Sequence, residues 1–469
     1  MDVIFASARD LAQRIRSRRI SSREVMVAFL AQIRRLNPEL TAIVAKLDDE
    51  ACLALADRAD QALRDGRPVG AFHGLPTAIK DLEPAVGFPQ SKGSPIHKDL
   101  MPDADSVLVE RIRRAGAILI GKTNVPEFGM GSQTYNKVYG TTRNPYDRTK
   151  TAGGSSGGAA VALATGMLPI CDGGDLGGSL RNPANFNNIV ALRPSVGLVP
   201  VAPTPIPFAG ISTKGAMARS VADVAFGLSV MAGADARDPQ SFSSDPQAFA
   251  GPLSRDLRGV RVAWSPDLGG LPLDRRVRTV IDAQRHVFED LGCIVEEACP
   301  AFGSVDQIFL TLRTWASWTI YKDLLAQHRE HFKPEAIWDI ESGSKFSGED
   351  LGRALVEQGQ LFDRMRAFQE KYELLVCAVN QVPPFDATEP WPRSIDGVTM
   401  ENYVAWMKTA YWISATCRPA ISVPAGFTDD GLPVGIQIVG RYRDDLNVLK
   451  CAHAFEQATG IGQRRPPGV

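Results

Sequence analysis

SVLVERIRRAGAILIGKTN, residues 106–124, decides the reading of the fold, because its hydrophobic pattern changes period part-way along. Up to Ala115 it reads as an amphipathic helix, and from Ala117 a short apolar run reads as a strand. Gly116 stands at the changeover, where a helix commonly ends on a glycine. The same order recurs in AAVALATGMLPICDGG (159–174) and in VRTVIDAQRHVFEDLGCIVEEA (277–298), with Gly292 as the stop. GVRVAWSP (259–266) and YELLVCAVN (372–380) are further candidates for buried strands. PAISVPAGFTDDGLPVGIQIVG (419–440) reads as two strands joined by an Asp-Asp-Gly turn. Nearer the start, SSREVMVAFLAQIRRLNP (21–38) opens on a capping box, Ser21 with Glu24, and runs at helical spacing to Pro38. Helices alternating with apolar strands predict an α/β protein: a large mixed, mostly parallel sheet covered by helices on both faces.

Composition narrows the function classes. The chain has 469 residues, 44% hydrophobic and 22% charged, so a large core is feasible. Lys plus Arg number 52 against 53 Asp plus Glu, a balance that argues against nucleic acid or an anionic membrane as the main partner. The seven cysteines are scattered without CxxC spacing and read as small apolar residues of a reducing compartment. The first residues lack the order of a secretory signal, and AAVALATGMLPI (159–170) is too short to span a bilayer, which takes about 20 residues. The expectation is a soluble, cytoplasmic protein.

No internal repeat or long linker divides the chain, so residues 1–469 are expected to form one domain. DARDPQSFSSDPQAFAGPLSRD (235–256) is polar and turn-rich, the candidate for a loop between two lobes. Residues 300–410 carry helices and long loops, including NQVPPFDATEPWPRS (380–394), and are expected to shape a pocket.

Three stretches bear on chemistry: GLPTAIKD (74–81), TAGGSSGGAAVALATG (151–166) and DGGDLGGSLRNPA (172–184). Each has a plain reading by itself. Lys80 fits a solvated lysine at a strand end, GGSSGG a flexible turn, and GGDLGGS a strand-to-helix turn. Yet GGSSGG runs straight into a small-residue apolar helix, which linkers do not do. A hydroxyl, a base and a set of N–H donors are also what nucleophilic acyl transfer needs. None of the six histidines has a triad context; His328 and His331 in HREHF have metal-like spacing but fit a solvated helix face. No HExxH, phosphate loop or dinucleotide fingerprint is present.

Taken together and in order, GLPTAIKD, GKTNVPEFG (121–129), NPYDRTKTAGGSSGG (144–158), GGDLGGSLRNPA (173–184) and PAISVPAGF…GLPVGIQIVG resemble the amidase signature family of serine hydrolases. The resemblance implies a Ser–cis-Ser–Lys triad with Ser179 as nucleophile, Ser155 as the bridging serine after a cis bond from Gly154, and Lys80 as base. It also implies backbone N–H donors for the oxyanion at Leu176, Gly177, Gly178 and Ser179. Gly129 would line the substrate site through its main chain, and Ser156, Asp175 and Arg181 would support it. The core of the domain would then lie at about 70–235 and 415–460. An ammonium cannot accept a proton, so Lys80 must be buried or placed near positive charge. No metal or organic cofactor is implied.

The chain departs from the family at two places. Members commonly carry threonine on both sides of the aspartate, where this sequence has Gly174 and Leu176. The common Asn-x-x-Gly before the PAIS strand is replaced in SATCRP (414–419). The expected function is amide hydrolysis, with an aryl amide, a carbamate or an ester as the substrate chemistries open to such a site. The same family contains the glutaminase component of a tRNA-dependent amidotransferase. That component holds glutamine with an acidic residue about a dozen positions before the PAIS proline; here the position is Met407, in an apolar run. A non-catalytic binding protein on the same fold is a further alternative. Trp315, Trp318, Trp391, Trp406 and Trp412 suggest an apolar or aryl substrate, or else simply a core. The expected partner is a small-molecule amide or carbamate, and the expected assembly a monomer or homodimer.

Overall fold

The computed structural model describes residues 3–469. Residues 106–124 fold in the expected order. Ser106 caps the helix Val107–Arg114 by accepting the Val109 N–H, Gly116 turns the chain at φ 88°, and Ile118–Thr123 follows as a strand. This strand lies parallel to Pro76–Lys80 and antiparallel to Ile43–Val44 in a three-stranded sheet. The capping box of Ser21 and Glu24 is formed, but its helix, Ser22–Leu40, passes through Pro38 before stopping. Leu36 and Leu40 are both buried, and Thr41 closes the end at φ 50° by donating to Asn37 O. Burial on that face outweighs the hydrogen bond that proline removes.

The large sheet has eight strands. Across it run Ile294–Glu297, Arg261–Trp264, Leu374–Ala378, Pro433–Val439, Ala420–Phe427, Val190–Arg193, Thr213–Ala218 and Cys171–Asp175. It is mixed, as expected, and the α/β class stands. The expectation of a mostly parallel sheet is corrected. Two pairings are parallel, those of Arg261–Trp264 with Ile294–Glu297 and with Leu374–Ala378; every other pairing in this sheet among the described residues is antiparallel. The reason lies in what the helices connect. Parallel neighbours need a crossover that returns across one sheet. The helix Gly157–Ala164 instead links the small sheet to the large one, and Thr428–Gly431 folds two strands into a hairpin.

Strands buried on both faces explain the continuous apolar runs. Along Leu374–Ala378, residues 374, 376 and 378 enter one core cluster while 375 and 377 enter another on the opposite face. Every side chain of the helix Gly157–Ala164 is buried. The run 277–298 is divided, with helices Arg275–Asp282 and Arg285–Asp290 ahead of the strand. Within 235–256 the short turn Pro246–Ala250 places Phe249 in the large core. Residues 300–410 supply the helices Val305–His328, Pro334–Gly343 and Gly348–Lys371, then the sheet strand Leu374–Ala378 and, after it, a mostly irregular stretch. Of the seven cysteines Cys299 is exposed and Cys417 half-buried; the other five are buried, and none is bridged.

Candidate active site

Lys80 ends the buried strand Pro76–Lys80 and is itself 1% exposed. Its backbone N–H donates to Asp172 Oδ1 at 3.0 Å, docking the small sheet against an edge strand of the large one. Its ammonium has three acceptors: Ser155 Oγ at 2.8 Å, Ser156 Oγ at 2.7 Å and Gly174 O at 3.3 Å. No carboxylate lies within 4.0 Å of it among the described residues. Burial, helped by the Lys214 cation, pulls this lysine from 10.5 to about 7 against the opposing pull of Asp172, Glu83 and Asp175.

The two serines are held by a packed loop, not a flexible one. The Gly154–Ser155 peptide is cis and Gly153 sits at φ 72°. Thr134 Oγ1 donates to Gly153 O at 2.8 Å, and Ser132 Oγ donates to Gly154 O at 2.6 Å. Asn182 Nδ2 in turn donates to Ser132 Oγ at 2.9 Å. A Cβ at Gly157 would stand 2.2 Å from Thr134 Oγ1, and one at Gly158 would stand 2.3 Å from Asn124 N, so these glycines permit close approach.

The loop after Cys171–Asp175 is built around one carboxylate. Asp175 accepts from Gly178 N at 2.8 Å, Leu180 N at 3.2 Å and Arg181 Nε at 3.0 Å. Burial alone would raise this carboxyl, but Arg181 and Arg193 hold it far below the usual carboxylate range. All three side chains are fully buried. Arg193 also donates to Asp175 O at 2.6 Å, while Arg181 reaches Gln437, Ser414 Oγ and Ala410 O. The Ser156 N–H donates to Ser179 O at 3.2 Å, joining the two loops.

Of the four backbone donors expected at the oxyanion position, one is engaged within the protein. Gly178 N–H donates to Asp175 Oδ1 at 2.8 Å. The N–H groups of Leu176, Gly177 and Ser179 take no protein acceptor among the described residues. Leu176 and Ser179 are half-buried, and a Cβ at Gly177 would stand 2.8 Å from the Phe309 ring. Gly129, at φ 71°, places its Cβ position 3.7 Å from Ser155 Oγ. The structure thus brings together Lys80, Ser155, Ser156, Gly129 and the loop bearing Leu176–Ser179, with Asp175 and Arg181 beneath it.

A family model described as Amidase matches residues 24–449. The chain belongs to the amidase family. It is 34% identical over 465 residues to an acylamidase of Rhodococcus erythropolis, covering 98% of this chain and 97% of that protein. It is also 32% identical over 493 residues to a glutamyl-tRNA(Gln) amidotransferase subunit from a Cyanothece species, covering 98% and 100%. A bacterial aryl acylamidase of the amidase signature family has the same fold, at a TM-score of 0.90 and 28% identity, with 99% and 100% covered. This member of the family is an amide-hydrolysing enzyme.

Several supporting residues were not singled out in the sequence. Arg193 closes the apolar strand VALR, where a lone arginine is itself a signal of a buried partner. Ser132, Thr134 and Asn182 carried no signal by themselves. In SATCRP, Ser414 stands at the asparagine position and accepts from Arg181 Nη2 at 2.7 Å; Cys417 stands at the glycine position with φ 58°. The backbone therefore keeps the left-handed turn that glycine would favour. His328 and His331 pair with ring centroids 6.3 Å apart, and no group of three His, Cys, Asp or Glu able to hold a metal occurs among the described residues. No helix among them is long and apolar enough to cross a membrane.

Proposed function

We propose that the enzyme hydrolyses an aryl or otherwise apolar amide through an acyl-enzyme on Ser179, with Ser155 relaying its proton to Lys80. The observation that carries this reading is the Lys80–Ser155 bond at 2.8 Å, made by a buried lysine whose ammonium is held at about 7. Of the three acceptors around Lys80, Gly174 O can only accept, so a neutral amine can receive a proton only from a serine hydroxyl. Ser155 lies beside Gly129, which is half-buried, whereas Ser156 Oγ lies 3.0 Å from the Cβ position of Gly173, inside the sheet. Ser155 therefore faces the substrate side.

In the proposed reaction Ser179 Oγ attacks the scissile carbonyl and loses its proton to Ser155, which passes its own to Lys80. The tetrahedral oxyanion is met by N–H groups of the Leu176–Ser179 loop, with Leu176, Gly177 and Ser179 the donors free to turn towards it. Collapse expels the amine, which takes a proton back along the same relay, and water then cleaves the acyl ester. Ser179 Oγ has no protein hydrogen-bond partner among the described residues, which leaves the hydroxyl unengaged for attack. Carbamates and esters pass through the same oxyanion and are alternative substrates.

An apolar substrate is supported by the wall above the loop. Phe309 stacks on Tyr411 with centroids 4.2 Å apart, in a cluster with Leu176, Trp391, Trp406, Met407 and Trp412. Trp318 packs instead with Phe128, so the tryptophans form no single patch. Similarity to the amidotransferase component favours a second reading as a glutaminase. Against it, Met407 is buried at the position where that component needs an acidic residue, and its sulfur accepts from Asn182 Nδ2 at 3.7 Å.

The test is Ser179→Ala. Intact-mass measurement with an anilide or a fluorophosphonate should show an adduct on the parent and none on the folded variant. An adduct on the variant would overturn the assignment, and turnover of glutamine but not of anilides would favour the second reading.

A further inference from the structure

Lys333 precedes the helix Pro334–Gly343, within the stretch 300–410, and is 6% exposed. Its backbone N–H donates to Glu127 Oε2 at 2.8 Å, which fixes where its side chain begins. Its ammonium makes no hydrogen bond and no ion pair within 4.0 Å among the described residues. What it meets is the face of Tyr135, 4.7 Å from the ring centroid. Lysine is rarely buried without a partner, since a desolvated ammonium with unused donors is costly. Gln133 Oε1 and Asn182 Oδ1, on either side of Ser132, are likewise buried with no donor.

This lysine stands beside the candidate active site. Its Nζ lies 3.5 Å from the Cβ position of Gly131, with the Tyr403 ring at 3.9 Å, and Gly131 is half-buried. Gly129, two residues earlier, faces Ser155. Two residues of backbone span at most about 7 Å, so one substrate of modest length reaches from Ser155 to Lys333. Tyr403 belongs to the apolar cluster that also holds Leu176 and Tyr411.

The surrounding charge limits what the ammonium can receive. Glu127, Glu335 and Asp339 lie near it, with Arg313 the one further cation among its electrostatic neighbours. Arg313 is itself paired with Asp339 at 2.8 Å. Glu127 and Glu335 therefore already outnumber this one cation, and a further anion would be repelled. A neutral oxygen acceptor meets the unused donors without adding charge.

We propose that Lys333 is a specificity-determining donor at the distal end of the substrate site, where it receives a neutral carbonyl oxygen lying beyond the scissile bond. A second amide, carbamate or ester carbonyl supplies that oxygen. The proposal rests on the functional reading above and extends it to the substrate's far end.

The experiment compares three substrates sharing one scissile anilide: a diamide with a distal carbonyl, an uncharged analogue with that distal amide replaced by two methylenes, and one with a free carboxylate there. The parent should prefer the diamide to the methylene analogue by about tenfold in kcat/KM, the worth of one hydrogen bond to a charged group. The carboxylate should be the poorer of the two oxygen-bearing substrates. In Lys333→Met the diamide's advantage should collapse through KM, and Lys333→Arg, which keeps a donor, should restore part of it. No preference in the parent, a preference for the carboxylate, or equal losses on all substrates in Lys333→Met would overturn the proposal. The parent comparison stands even if a variant fails to fold. If the parent turned over none of the three, or Ser179→Ala remained active, the functional reading would fail instead.

Discussion

Replacing Lys80 by methionine should abolish activity and, at neutral pH, make the protein more stable. The buried ammonium is pulled from 10.5 to about 7. Lysine in the unfolded chain keeps its ordinary proton affinity, so folding works against the charged form. At about 1.4 kcal/mol for each tenfold change, that opposition is roughly 5 kcal/mol below pH 7. It fades as pH rises and is gone once both states are neutral, above 10.5. Methionine has a similar length and no charge, but it gives up three hydrogen bonds, to Ser155, Ser156 and Gly174, worth about 1 kcal/mol each. At pH 7 the variant should therefore gain about 1 to 2 kcal/mol; at pH 10, with the charge penalty nearly gone, it should be about 2 kcal/mol less stable. Urea unfolding of parent and variant at both pH values measures this, and the sign of the difference should reverse. A variant less stable than the parent at both values would refute the reasoning, because Asp172 and Glu83 would then be neutralising the cation after all.

Three further outcomes follow from the same geometry. Parent kcat/KM should rise tenfold per pH unit in acid, level off above about 7 and stay high, since only neutral Lys80 accepts the proton; Lys214→Met should move the half-point upward by removing a neighbouring cation, and an unchanged profile would contradict this. Asp175→Asn leaves Arg181 and Arg193 buried without a counter-charge and should cost about 3–5 kcal/mol in denaturant unfolding, with a loss under about 1 kcal/mol counting against the role given to that carboxylate. Cys417→Gly relieves a left-handed residue at φ 58° and should raise stability by about 1 kcal/mol with activity retained, whereas destabilisation would mean that packing of the thiol matters more than the backbone.

Much of the site was legible because its residues act through local backbone. Asp175 ends a strand and Ser179 lies on the loop that follows it, while Ser155 and Ser156 share another loop, so their glycine-rich settings are visible in sequence. The direction of the strands was not legible. A helix followed by an apolar strand looks the same whether it crosses within one sheet or links two, and Gly157–Ala164 links two. Long-range partners were hidden for the same reason. Arg193 and Ser414 meet around Asp175 and Arg181 only after the strands assemble, and no local pattern says which groups they will meet. The commitment of Gly178 N–H to Asp175 was likewise invisible, because the resemblance named a loop and not the direction of each donor.

The strand Cys171–Asp175 carries two acids that the fold treats in opposite ways, and the contrast explains how a base survives beside carboxylates. Asp175 is locked between two guanidiniums and stays charged, so the donor loop keeps one shape. Asp172, three residues earlier, accepts the backbone N–H of Lys80 and leaves its Oδ2 without a partner. Burial, with Glu83 adding, pushes it up to about 6. Had Asp172 met the ammonium in a close ion pair, Lys80 would be held charged and could not accept a proton near neutral pH. By taking the backbone of Lys80 instead, Asp172 fastens the small sheet to the large one without fixing the charge. Glu83 is drawn off in the same manner, by its pairing with Lys214. The carboxylates around Lys80 are each engaged elsewhere, which leaves serine hydroxyls and one carbonyl as the groups its amine meets.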